Sequence, residues 1–135
     1  MFLLDTNVLS ETRRNKPHGG VIAWLSGHPA HSLFVSAVSL GEIQARIEIT
    51  RRQDAARAAQ LQAWADRLAS TMQILPMGAA EFREFARLMN GRSVTLIYDA
   101  MIAATARTHG LQVVTRNTAD FKSLGLKSVN PFNHR

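Results

Sequence analysis

Short apolar runs alternate along this chain with longer stretches in which apolar residues recur every three or four positions, a pattern that predicts strands separated by amphipathic helices. The first run, Phe2-Leu3-Leu4, is apolar on both faces and stops at Asp5, as a strand in the middle of a parallel sheet would. Thr6 to Asn15 leaves it through polar residues in a short helix or turn carrying Glu11, Arg13 and Arg14, and the breakers of Lys16-Pro17-His18-Gly19-Gly20 predict a loop. Val21, Trp24 and Leu25 lie at helical spacing before Gly27-His28-Pro29, and Ser32 to Ser36 predicts a second strand. Ser39-Leu40-Gly41-Glu42 opens a helix that runs to about Thr50.

A long amphipathic helix follows from Arg51 to Ala69, with Leu61, Trp64, Ala65 and Leu68 on one face. Ile74-Leu75-Pro76 predicts an edge strand, because proline cannot donate to the ladder. The helix from Ala79 to Asn90 has Phe82, Phe85, Ala86 and Met89 as its expected buried stripe and Asn90-Gly91 as its stop. A helix rich in small residues begins at Asp99 and ends at Gly110; Leu111 to Thr115 is a further buried strand, and Ser128 to Phe132 a last short edge strand. The aromatic and methionine stripes read as core, and neither repeats nor linkers interrupt the order.

Strands alternating with helices predict an α/β fold, a doubly wound, mostly parallel sheet of about five short strands flanked by helices. At 135 residues and 46% hydrophobic content the chain suffices for one core, and a single domain over 1–135 is expected. The absence of cysteine excludes a disulfide framework and any thiolate metal site. The start lacks a basic segment and its apolar run ends after three residues, so no signal peptide or membrane span is expected and the predicted location is cytoplasmic.

In open parallel sheets, ligands gather beyond the carboxyl ends of the strands. Asp5, Glu42 and Asp120 each follow a strand there, and Asp99 heads a helix that can point into the same mouth. The same residues also fit helix ends: Ser39-x-x-Glu42 has capping-box spacing, and Asp99 stands where an N-cap aspartate would. Carboxylates about 5 Å apart repel by roughly 3 kcal/mol per pair at an effective dielectric near 20, so a cluster of them wants protons or hard cations. Oxygen ligands, without cysteine or a histidine pair at zinc spacing, suit Mg2+ or Mn2+; the five scattered histidines read as non-catalytic. The formal charge of +6 then understates the outer surface, because with four of the ten acids gathered at one site, sixteen basic residues face only six others. Such a surface draws in a polyanion such as RNA or DNA through a salt-sensitive field.

Four stretches, Leu4-Asp5-Thr6-Asn7-Val8-Leu9-Ser10-Glu11, Val35-Ser36-Ala37-Val38-Ser39-Leu40-Gly41-Glu42, Asp99-Ala100-Met101-Ile102-Ala103-Ala104-Thr105-Ala106 and Val114-Thr115-Arg116-Asn117-Thr118-Ala119-Asp120-Phe121, resemble in order the successive motifs of PIN-domain proteins. The likeness is to the VapC type of toxin ribonuclease, including its FitB-like branch, and extends to the closing Asn130-Pro131-Phe132. The resemblance implies the toxin of a type II toxin-antitoxin system, a Mg2+-dependent endoribonuclease in which Mn2+ can substitute. It also implies an antitoxin partner, a homodimer, and contact with operator DNA only through the antitoxin. Carried over motif by motif, Asp5 and Asp99 are the primary metal ligands, and Glu42 and Asp120 complete the acidic site. Some relatives place the fourth acid where Asn117 stands here. Thr6, Ser39, Thr115 and Asn117 are candidates for the polar shell, and Arg13, Arg14, Arg92 and Arg116 for contacts to RNA.

The implied chemistry is in-line attack of cation-activated water on phosphorus, leaving 5′-phosphate and 3′-hydroxyl ends. A dimer is expected to bury apolar helix faces, among them the stripe with Trp64 and Leu68. An aspartyl-phosphate phosphatase would need Asp-x-Asp where this chain has Asp5-Thr6-Asn7, and a receiver domain would need a lysine where Thr115 and Arg116 end a late strand. The alternative that stays open is a PIN-fold binding module that acts with an antitoxin on operator DNA, with little or no catalysis.

Overall fold

The structure, a computed structural model, describes residues 1–134. Five short strands, β1 (Phe2–Leu4), β2 (Leu33–Ser36), β3 (Gln73–Leu75), β4 (Gln112–Val114) and β5 (Ser128–Val129), form one sheet in the order β3-β2-β1-β4-β5 with every pairing parallel. Seven helices connect them: α1 (Thr6–Glu11), α2 (Gly19–Ser26), α3 (Ala37–Arg51), α4 (Ala55–Thr71), α5 (Ala79–Met89), α6 (Ile97–His109) and α7 (Thr118–Ser123).

The alternation of side chains along each strand divides the core in two. Leu4, in register with Val35 and Val114, faces Val8, Val21, Trp24, Ile43, Ile47, Trp64 and Leu68 from α1 to α4. Leu3, in register with Phe34 and Val113, faces Leu88, Ile102, Phe121 and the alanines of α6 on the other side. Leu3 and Val113 are fully buried and Leu4 nearly so, as central strands of a parallel sheet covered on both faces must be. The chain leaves β1 towards β2 on one side and returns to β4 on the other, so the crevice at the carboxyl end of β1 lies at the reversal of strand order.

Several expected boundaries move. The helix after β2 begins at Ala37, capped by Ser36, whose hydroxyl accepts the Val38 amide at 3.1 Å. The break between α3 and α4 falls at Arg52 to Asp54, and Asp54 caps α4 by accepting the Arg57 amide at 3.0 Å. The edge strand β3 stops at Leu75, before Pro76, and β5 stops at Val129, beyond which Pro131–Asn133 forms a 3-10 turn. In α5 the buried stripe is rotated: Phe82 is 49% exposed and Ala86 exposed, while Glu81 and Leu88 turn inward. The cause is polar, since the Glu81 carboxylate accepts the Gly78 amide at 3.1 Å and lies 3.0 Å from His109 Nε2, which ties its helix face to α6. The stripe with Trp64 and Leu68 lies inside the chain's own core, each at most 8% exposed, and offers nothing to a second copy. Among the described residues no helix is long and apolar enough to cross a membrane.

Candidate active site

Asp5 follows β1 directly and is 3% exposed. Its Oδ1 accepts the Thr6 amide at 2.8 Å, and its Oδ2 accepts the Thr115 hydroxyl at 2.7 Å and the Asn7 side-chain amide at 3.2 Å. Two neighbouring strand ends therefore hold one carboxylate, because Asp5 and Thr115 both sit just past the parallel pair β1 and β4. Burial raises the Asp5 pKa, and these hydrogen bonds pull against it.

Glu42 reaches the same mouth from the second turn of α3. Because that helix starts at Ala37, Glu42 is not part of a capping box, and Ser39 is fully buried rather than capping. The Thr6 hydroxyl stands 3.0 Å from Ser39 Oγ and 3.1 Å from Glu42 Oε1. Thr6 Oγ1 is the donor towards both oxygens, so its one hydroxyl proton is shared between Ser39 Oγ and the Glu42 carboxylate. Burial, then the Thr6 hydrogen bond and the charge of Asp5, act on Glu42, and its pKa is raised.

Asp99 is the third residue of α6; the residue in the cap position is Leu96, so Asp99 is no N-cap. Desolvation, followed by the charges of Asp5, Asp120 and Glu42 and a hydrogen bond with Asp120, pushes its pKa up to about 6. Asp120, in the first turn of α7, is thus the acid that reaches Asp99. Asn117 precedes α7, makes no side-chain cap, and donates its backbone amide to Thr115 Oγ1 at 2.9 Å.

Four carboxylates from four elements thus share one electrostatic site, and none of them is in an ion pair among the described residues. Among those residues no three acidic or histidine side chains converge tightly enough to clasp an ion. Coulomb coupling reaches further than coordination, so the two observations are compatible. The donor set, carboxylate oxygens backed by hydroxyls, fits a hard divalent cation in its chemistry.

Asn7 belongs to this shell although its residue type alone did not single it out. Its amide group donates to Asp5 Oδ2 and to Thr115 Oγ1 at 3.3 Å, and its carbonyl oxygen accepts the Arg116 amide at 3.2 Å. The signal available was its place two residues after the strand-ending acid.

The basic candidates divide. Burial raises the Glu11 carboxyl, but the His18 amide, Arg14 and the charge of Arg116 hold its pKa below the ordinary value, which places both arginines around the end of α1. Arg13 lies over the Trp64 ring at 5.9 Å, and burial together with the charges of Arg57, Arg14 and Arg46 lowers its pKa. Arg92 stands apart: its guanidinium donates to the carbonyls of Leu88 and Ser123, both at 2.6 Å, and binds the end of α5 to the end of α7.

Comparison with known proteins places this geometry in a family. The chain is 33% identical to the VapC ribonuclease Y4jK of Sinorhizobium fredii, over 98% of either chain. It is 29% identical to the toxin FitB of Neisseria gonorrhoeae, over 98% of this chain and 99% of that one. The crystal structure of FitAcB from Neisseria gonorrhoeae superposes with a TM-score of 0.80 at 28% identity, covering 98% of this chain and 99% of the other. With the PIN domain model matching residues 2–126, nearly the whole sheet and every acid of the site, the chain belongs to the PIN domain family.

Proposed function

We propose that this protein is an endoribonuclease whose acidic mouth works with a hard divalent cation, and that it is the toxin half of a type II toxin-antitoxin pair. The observation that carries the reading is the electrostatic coupling of Asp5, Glu42, Asp99 and Asp120, none of them in an ion pair among the described residues, with Asp99 raised to about 6. A relative named VapC ribonuclease and another named toxin FitB, each matched almost end to end, support the activity and the toxin role. The antitoxin partner, the homodimer and the indirect contact with operator DNA are carried from the motif resemblance.

In this reading Asp5 and Asp99 hold the cation, with Glu42 and Asp120 completing the site. When bound, Mg2+ or Mn2+ would supply the positive charge that activates water and stabilises the leaving 3′-oxygen, giving 5′-phosphate and 3′-hydroxyl products. The Thr6 amide holds Asp5 Oδ1, and Thr115 with Asn7 holds its Oδ2, which fixes the orientation of the carboxylate. Thr6 with Ser39 fixes Glu42, and Asn7 links Asp5 to the backbone of Arg116. Cation and proton compete for the Asp99 carboxylate, so cleavage should weaken as pH falls through about 6.

Asp99→Asn tests the reading. The change keeps size and removes one charge, so the variant should fold normally yet lose RNA cleavage by at least about a hundredfold at saturating Mg2+, a typical effect of lost electrostatic stabilisation. End-mapped cleavage of total RNA by wild type, active in Mg2+ and silent in EDTA, is the companion measurement. Wild-type cleavage rates in Asp99→Asn, or undiminished cleavage in chelator with contaminating nuclease excluded, would overturn it.

A further inference from the structure

The turn at Asn130-Pro131-Phe132 is anchored in the fold by hydrogen bonds and packing. Asn130 Oδ1 accepts the Phe132 amide at 3.0 Å, Pro131 is buried, and Phe132 packs against the core side that holds α1 and α2. The Phe132 ring meets the His18 ring edge-on at 5.1 Å between centroids. Gly20, in the first turn of α2, permits this closure: a Cβ there would lie 2.7 Å from the His134 carbonyl oxygen and 2.9 Å from that of Pro131. The docked turn presents one face of Phe132 to a cation, and the Arg116 guanidinium carbon stands 3.8 Å from the ring centroid.

Arg116 follows the Thr115 that donates to Asp5, and its own amide donates to Asn7, which also donates to Asp5. One end of the residue is therefore two hydrogen bonds from the buried carboxylate, while the other lies over an aromatic ring. Among the described residues no carboxylate lies in ion-pair range of this guanidinium, and the side chain is exposed. Arg14 shares Glu11 in an ion pair at 3.3 Å, and Arg92 is committed to two carbonyls; the charge of Arg116 also acts on Glu11, but its guanidinium makes no ion pair among the described residues. A long cation whose rotamers are limited by stacking loses less freedom when it meets an anion.

We propose that Arg116 binds a backbone phosphate of the RNA strand beside the acid-lined mouth, and that Phe132 is the positioning residue that holds its guanidinium ready. The inference rests on the ribonuclease reading and deepens it by naming where the strand is gripped. It also gives the closing turn of the chain a function. An exposed cation on the residue after Thr115 offsets the repulsion between a polyanion and the carboxylates that must approach it.

The test is binding of a fluorescent, short, mixed-sequence single-stranded RNA to the full chain, by anisotropy in Mg2+ across a range of KCl, in an Asp99→Asn background with the probe confirmed intact. Arg116→Ala should reduce the slope of log affinity against log salt by about 0.7, the loss of one single-strand phosphate contact. Phe132→Leu should weaken binding about two- to fivefold, the range for an exposed cation–π contact, and Phe132→Tyr should restore it. In an Arg116→Ala background Phe132→Leu should add nothing, a result a merely structural role would not produce. An unchanged salt slope in Arg116→Ala, or an equal Phe132→Leu loss in both backgrounds, overturns the proposal. Wild-type cleavage of the same RNA separates the two readings. Cleavage with a slope indifferent to Arg116 overturns the phosphate grip alone, and no cleavage with an Arg116-dependent slope overturns the nuclease alone.

Discussion

At Asp99 two demands meet in one side chain, a carboxylate that stays charged in water and a site that already holds three other acids. Its pKa near 6 against an ordinary 3.8 means that the folded, cation-free protein binds more protons than the unfolded chain between those values. Stability in EDTA should therefore fall as pH rises through that window and level off above it. Asp99→Asn should remove much of this dependence and raise the melting temperature at neutral pH. The gain is about 1 kcal/mol or less, because partial exposure screens the repulsion. Calorimetry in EDTA at several pH values checks this; a wild-type melting temperature that rises from pH 4 to pH 7, with Asp99→Asn following it, would show that the acids are not coupled. Asn7 makes the complementary point, a neutral side chain that joins Asp5, Thr115 and Arg116 with bonds to all three.

Among the elements, α5 carries the clearest lesson, because two candidate inward faces compete on it. Phe82, Phe85 and Met89 lie at helical spacing, and so do Glu81, Phe85 and Leu88. The second stripe faces inward because Glu81 satisfies the Gly78 amide and His109 at once, and these partly buried polar contacts outweigh an aromatic left half in water. Leu88→Ala should accordingly cost about 2–5 kcal/mol of stability, and Phe82→Ala less than about 1 kcal/mol. Denaturant melts of the two variants decide between the stripes, and a larger loss for Phe82→Ala would restore the one read from spacing. The start of α3 is a second instance: Ser36 caps it directly from β2, which shifts Glu42 into the second turn and frees its side chain for the mouth.

At the scale of the molecule, charge separation organises the surface. Four of ten acids collect at the carboxyl edge of the sheet, while Arg13, Arg14 and Arg57 line a polar cleft of about 350 Å³ beyond the end of α1. A cation that binds only the folded site should stabilise the whole chain, by about 2.7 kcal/mol at a hundredfold excess over its dissociation constant. Mg2+ or Mn2+ should thus raise the melting temperature of wild type in a concentration-dependent way and leave Asp5→Asn nearly unmoved. Equal shifts in both proteins would place the ion elsewhere. The homodimer implied by the motif resemblance has to use faces other than the Trp64 and Leu68 stripe, since that stripe is consumed by the monomer's own core.

Strand and helix order, the parallel sheet and the four acids at its edge were legible in the sequence, because apolar period and the acid that ends a buried strand are local properties of the chain. The polar shell was legible in part: Thr6, Ser39 and Thr115 followed from the motifs, whereas Asn7 emerged only when β1 and β4 came side by side. Tertiary structure decided what depends on partners distant in sequence. It turned α5 by pairing Glu81 with His109, withdrew Arg92 onto two carbonyls, and brought Phe132 from the end of the chain onto Arg116. Each of these choices is a hydrogen bond or a ring contact between segments that no local period links.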